Sequence, residues 1–221
     1  MTENNENQEL SSVKETKSNF NLLKEVWEWF YTIVIALLVV IVIKGYIFDI
    51  VRVDGPSMNP TLVHNDRLVI TKLGYKPAAG DIIILDSAYK NREEYYEETG
   101  KDLNAVTKIF EYFKLPENLK HRYYVKRIIG MPGDTVSISG GRVYVNDKEL
   151  YEPYFDGITR ITDYGVSYPV TVEEGHVFVM GDNRGNSTDS RSSSLGQVPI
   201  EAIEGKSQFR IWPFNAIGKT E

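Results

Sequence analysis

Two residues have the types and settings that chemistry requires, a serine in a stiff turn and a lysine inside a strand. Ser57 stands in Asp54-Gly55-Pro56-Ser57-Met58-Asn59-Pro60-Thr61. Pro56 fixes its own φ and biases Gly55 toward extended geometry, and Pro60 does the same to Asn59. Gly55, lacking a side chain, leaves room for another backbone. The turn should therefore hold Ser57 outward. A serine becomes a nucleophile only when a base can take its proton; without one it is an ordinary turn residue. Of the 3 histidines, His64, His121 and His176, only His64 is near in sequence. It brings no Gly-x-Ser-x-Gly elbow and no acidic partner at a recognisable spacing. Lysine is the other base known to serve a serine. Lys126 sits in the apolar run Tyr123-Tyr124-Val125-Lys126-Arg127-Ile128-Ile129. Alternation places it with Tyr124 and Ile128, opposite Arg127. If Arg127 is the solvated cation, Lys126 faces the core, where the amine must be neutral. Lowering its pKa from about 10.4 to about 7–8 costs roughly 4 kcal/mol. If both cations instead reach water at a sheet edge, neither is a base. The strand alone leaves both readings open.

The elements that must position these residues are legible in outline. The chain has 221 residues with a net charge of −6, enough for one core domain and an appendage. No basic block suggests nucleic acid. The absence of cysteine excludes disulfides, a nucleophilic thiol and thiolate metal sites. Scattered histidines argue against zinc, so no metal and no cofactor is expected. Residues 1–24 read as a polar cytoplasmic tail and 25–48 as a transmembrane anchor. The apolar run from Trp29 to Ile43 is 15 residues long, short of the roughly 20 that span a bilayer. Trp27, Trp29, Phe30 and Tyr31 at one interface, and Tyr46 and Phe48 at the other, make up the length. No small-x-small pair follows Ile43, so the segment reads as an uncleaved anchor in membrane lipid. Lys14, Lys17 and Lys24 favour a cytoplasmic N-terminus, which puts residues 49–221 outside the cytoplasm.

Within 49–221, short apolar runs alternate with turn residues. Val51–Val53, Arg67–Thr71, Asp81–Leu85, Tyr123–Ile129 and Val177–Met180 read as strands, and Gly140-Gly141 marks a hairpin between Thr135–Ile138 and Arg142–Val145. The fold class expected is mostly β, an antiparallel barrel or coiled sheets. Residues 86–122 differ, being rich in Glu, Lys and Tyr. There Leu103, Val106, Ile109, Phe110 and Phe113 recur at helical spacing, which predicts a helical insertion docked on the core.

Four stretches stand in order: Asp54–Thr61, Gly80-Asp81-Ile82-Ile83, Tyr124–Asp134 and Gly181–Arg191. With the anchor before them they resemble the boxes of bacterial type I signal peptidases, in the single-span form found in Gram-positive bacteria. The likeness runs from the anchor to the C-terminus. It implies a membrane-bound serine endopeptidase cleaving signal peptides from exported preproteins, with Ser57 as nucleophile and Lys126 as general base. By the same resemblance Ser187 hydrogen-bonds the lysine amine, and Asp189 and Arg191 form a supporting pair for the Gly181–Arg191 loop. Gly80-Asp81 brace the neighbouring strand, and Val51, Val53 and Val125 line shallow pockets for small side chains. Gly55 stands where some members carry a side-chain donor to the oxyanion, which leaves that task to backbone N–H groups, chiefly that of Ser57, or to water. The preprotein would bind as an added strand. The other readings are a non-catalytic assembly or chaperone relative, which has no need of both Ser57 and Lys126, and a soluble autoprotease fused to a regulator, which the apolar span opposes.

Overall fold

The computed structural model describes residues 22–100, 114–161 and 165–220. The polar stretch 1–21 and the expected helix with Leu103, Val106, Ile109, Phe110 and Phe113 lie outside the described residues. The chain divides into two compact units, 1–42 and 43–221. The first contributes helix α1, Leu22–Val42. Its apolar side chains from Val26 to Val42 are largely exposed, and Trp27 stacks on Phe30 with ring centroids 5.6 Å apart. The stretch Lys24–Ile47, 24 residues, is long and apolar enough to cross a membrane.

The second unit is antiparallel β throughout its described pairings. A π-helical turn, Ile43–Ile47, leads into β1 (Phe48–Arg52), so Phe48, grouped by sequence with the apolar segment, begins a strand. Then follow β2 (Arg67–Thr71), β3 (Ile82–Asp86), α2 (Tyr89–Glu98), β4 (Tyr123–Gly130), β5 (Thr135–Ser139), β6 (Arg142–Val145), β7 (Lys148–Glu149), β8 (Val170–Thr171), β9 (His176–Met180), β10 (Val198–Pro199), β11 (Ile203–Trp212) and β12 (Gly218–Lys219). One sheet runs β1-β2-β11-β3-β4-β9-β10 with β12 beside β11, and a second runs β7-β6-β5-β8. The strands read from the sequence all form, within a residue of their expected ends, except β1, which begins three residues before the expected Val51 and stops short of Val53.

Packing explains which strand holds the lysine. β4 pairs with β3 through Tyr123–Arg127 and with β9 through Arg127–Gly130, so the strand is interior from Arg127 onward, while the β9 side of Tyr123–Lys126 carries no paired strand. Ile83, Leu85, Ile128, Val177 and Val179 form one cluster on this sheet, and Ile129, Val136, Val143, Phe178 and Met180 form another that reaches the small sheet. A third cluster, Val53, Met58, Leu62, Leu68 and Ile82, sits under the serine turn. Met58 is fully buried there, an anchor that stabilises the turn by roughly 1.5–3 kcal/mol while its neighbour Ser57 faces the other way.

The insertion supplies a helix that periodicity did not reveal. α2 (YKNREEYYEE) has no apolar stripe; it is held by Tyr96, buried against Leu115 and Leu119, and by charge. Buried Arg92 donates to the Asp86 carboxylate at 2.7 Å, and His121 Nδ1 lies 2.6 Å from the same oxygen.

Candidate active site

The serine turn and the lysine strand meet although they are 69 residues apart. Lys126 Nζ lies 2.9 Å from Ser57 Oγ, and donates also to the Val125 carbonyl at 3.0 Å. The amine sits 5.0 Å from the centre of the Tyr124 ring. Lys126 is only 3% exposed. Desolvation lowers its pKa from 10.5 to about 8, against the opposing pull of the Asp189 and Asp182 carboxylates.

Both sequence alternatives for this strand put Arg127 in water, and that part of each is corrected. Neither cation is solvated: Arg127 is buried as well, because β4 is interior from Arg127 onward. Its guanidinium reaches Asp182 through Nε at 2.9 Å and Nη2 at 2.7 Å, donates to the Gly80 carbonyl at 2.8 Å, and lies 3.9 Å from the Tyr154 ring centre. Arginine survives burial by satisfying its fork of donors. Lysine, whose ammonium among the described residues meets Ser57, one carbonyl and the Tyr124 ring, responds by losing affinity for its proton.

The loop after β9 clamps the site. Asp189 and Arg191, both without exposed surface, form a two-pronged pair at 2.8 and 2.9 Å. Asp189 also accepts from Gly181 N at 3.0 Å, and Arg191 donates to the carbonyls of Arg184 at 2.8 Å and Arg160 at 3.1 Å. Arg184 in turn is buried against Glu152 and Thr159. Asp182 accepts from Thr61 Oγ1 at 2.6 Å, which ties this loop to the serine turn. Gly181 is required by close approach: a Cβ there would collide with Ser187 Oγ and the Ser57 carbonyl oxygen. Gly181→Ala is therefore expected to displace the turn, lowering turnover severalfold or more with a matching fall in melting temperature; an unchanged rate would contradict this packing.

Three expectations change in detail. Ser187 lines the same cleft, but its hydroxyl is buried without a hydrogen-bond partner among the described residues, so the expected bond to the Lys126 amine is not formed. Gly55 is not in ordinary extended geometry; its φ of +96° lies on the side of the map that glycine alone adopts freely. His64 does have an acidic neighbour, Asp54 at 3.2 Å, but its ring accepts from Gly55 N at 3.3 Å and is not on Ser57. Asp81 accepts from Tyr75 OH at 2.9 Å and pairs with Lys206 at 2.6 Å, while its carbonyl accepts from Ile128 N at 2.9 Å.

Ser57 and Lys126 open on a cleft of about 400 Å³, lined also by Val51, Val53, Gly55, Ile84, Tyr124, Val125 and Ser187. Val53 is 2% exposed and forms its floor, with Val51 and Val125 packed beside the same cluster. The sequence reading missed Asp182 and Asn183, although both stand inside a stretch it singled out. Asn183 donates from its side-chain amide to the Pro56 carbonyl at 3.1 Å and from its backbone to the Ser57 carbonyl at 3.0 Å.

A serine hydroxyl against a desolvated amine, on a valine-floored cleft in an antiparallel β domain, has the chemical make-up of a serine-type hydrolase. Residues 26–212 match the family model described as signal peptidase, peptidase S26, and the chain belongs to that family. It is 35% identical over 213 residues to signal peptidase I of Bacillus licheniformis, covering 91% of this chain and 96% of that one. It is 36% identical over 216 residues to signal peptidase I S of Bacillus subtilis (strain 168), covering 91% and 97%. A crystal structure of a signal peptidase I from Enterococcus faecalis aligns at 26% identity with a TM-score of 0.37, covering 60% of this chain and 97% of that chain.

Proposed function

We propose that this chain is a membrane-anchored endopeptidase that removes signal peptides from exported preproteins after small residues, with Ser57 as nucleophile and Lys126 as general base. The observation that carries the reading is the 2.9 Å contact between a hydroxyl and an amine that is 3% exposed. With Lys126 neutral, the donor role reverses and Ser57 Oγ–H donates to Nζ. Oγ attacks the scissile carbonyl carbon as its proton passes to Lys126, and the carbonyl π pair moves onto oxygen. Collapse restores the carbonyl and expels the new N-terminus, which takes the proton back from the ammonium. Water then attacks the ester by the same route and releases the signal peptide as a carboxylate.

The supporting roles follow from the contacts. Asp189 and Arg191 keep the clamping loop in place, and Asp81 holds β4 to its neighbour. Ser187 shares the cleft with Lys126, and its buried, unpartnered hydroxyl supports a role as the amine's hydrogen-bond partner during the reaction. The preprotein segment lies extended beside β1, an edge strand of the large sheet. Residues 25–48 anchor the chain, with 1–24 in the cytoplasm and 49–221, including the 86–122 insertion, outside it; protease added to intact cells should cut the β domain and spare a tag at the N-terminus.

The decisive assay incubates the full chain in detergent with a preprotein bearing an Ala-x-Ala site, beside Ser57→Ala. Only the former should cleave; cleavage by both, or by neither, overturns the proposal. Specificity supplies a second expectation. Val51, Val53 and Val125 leave shallow room, so Ala, Gly or Ser is required just before the cut. Equal kcat/KM for Ala and Phe at that position would show that these valines do not set the pocket.

A further inference from the structure

The orientation of the Ser57 N–H is decided by a residue from another part of the chain. In a planar trans peptide the C=O and N–H of one unit point in opposite directions. The Pro56–Ser57 bond is not among the cis bonds of the chain. The Pro56 carbonyl accepts two hydrogen bonds, from Asn59 N at 3.0 Å and from Asn183 Nδ2 at 3.1 Å. The Ser57 N–H of the same peptide unit therefore points away from Asn183, and among the described residues it donates to no protein acceptor. Asn183 lies outside the cleft lining, whereas Gly55, Pro56 and Ser57 are part of it. The free N–H is thus carried by a residue that lines the cleft, on the side of its peptide unit opposite the Asn183 grip.

The next peptide is held from the same side, since the Ser57 carbonyl accepts from Asn183 N at 3.0 Å. One residue thereby grips the carbonyls on both sides of the serine Cα. The Asn59 bond is internal to the turn and moves with it. Together with the Thr61–Asp182 bond at the turn's far end, the Asn183 bonds refer the turn's orientation to the loop that also carries Ser187 and Asp189, and they do so at the two peptide units flanking the serine.

We propose that Asn183 is a positioning residue that, by holding the Pro56 and Ser57 carbonyls, aims the Ser57 N–H at the oxygen of the scissile carbonyl. The inference rests on Ser57 being the nucleophile. A donor aimed at the charge that develops on that oxygen acts only as the tetrahedral species forms. Losing Asn183 loosens the donor without deleting it, so the effect is smaller than the 10²–10³-fold typical of removing a donor, about tenfold.

The test uses the full chain in detergent and two peptides of Ala-x-Ala type, one ending in alaninal and one in alaninol. Ser57 Oγ adds to the aldehyde carbon, the hydroxyl proton ends on the hemiacetal oxygen, and nothing leaves; the alcohol cannot react. In Asn183→Ala and Asn183→Leu, aldehyde affinity and kcat should each fall about tenfold. Alaninol affinity and KM should stay within about twofold, and the acid limb of the pH–rate profile should not move, because Asn183 carries no charge. Melting curves show which variants are folded, and Ala serves if Leu does not pack. Unchanged aldehyde affinity in a folded variant, or an equal loss for aldehyde and alcohol, overturns the role of Asn183. If wild type itself does not prefer the aldehyde, Ser57 is not the nucleophile and both readings fall together.

Discussion

Lys126→Arg is expected to remove turnover at every pH from about 6 to about 10, whereas wild type climbs through about 8 and levels above it. Guanidinium keeps its proton throughout this range, so it cannot accept one from Ser57. General-base assistance is worth roughly 10²–10⁴-fold, and an unassisted serine is a poor nucleophile, so the loss should reach at least the upper end of that range. The wild-type limb follows from burial. Desolvation brings the amine from 10.5 to about 8. At pH 7 about one molecule in ten then holds a neutral base, against about one in three thousand at the unshifted value.

The same shift has a stability counterpart with a definite sign. Between about 8 and 10.5 the unfolded chain binds a proton at this lysine and the folded chain does not. This contribution to stability therefore rises with pH across that window, and below it the folded state carries a penalty of roughly 3 kcal/mol. Lys126→Met should accordingly raise the melting temperature at pH 7 while abolishing cleavage. Activity retained in Lys126→Arg, or an acid limb that moves in a His64 variant, would remove lysine from the mechanism.

Asp189→Ala should destabilise the β domain strongly. The substitution leaves the Arg191 guanidinium without exposed surface and without a carboxylate, holding only the carbonyls of Arg184 and Arg160. Breaking a buried pair in this way typically costs 3–5 kcal/mol, which for a domain of this size lowers the melting temperature by roughly 10 °C. Gly181 N loses its acceptor in the same step, so the serine turn loses part of its clamp. Turnover should fall less than in Ser57→Ala. The residual activity also carries a directional signature. Asp189 pulls the Lys126 pKa upward, so removing it, with Arg191 left positive nearby, shifts the acid limb to lower pH. Full stability combined with complete loss of turnover would instead place Asp189 in the chemistry.

By itself the sequence determined the short apolar runs, their turn residues and the apolar segment near the N-terminus. These are local properties, encoded by alternation, by Gly and Pro, and by run length. The order of four motifs pointed to the family, and through it to Ser57 and Lys126. What the strand could not determine was the fate of adjacent cations. Alternation assigns them opposite faces but does not tell whether either face is wet. Tertiary structure decided that by setting β4 between β3 and β9, so that Arg127 found Asp182, 55 residues away, and Lys126 found only a serine, a carbonyl and an aromatic ring. α2 escaped notice because its docking rests on the Asp86–Arg92 pair and on tyrosine packing against Leu115 and Leu119, with no aliphatic stripe along the helix to mark it. The grip of Asn183 on the serine turn, 127 residues distant from Pro56, likewise exists only where two loops meet. Local patterns encode elements, but desolvation and long-range hydrogen bonds depend on which elements pack together, and those two effects make a serine and a lysine into a candidate site.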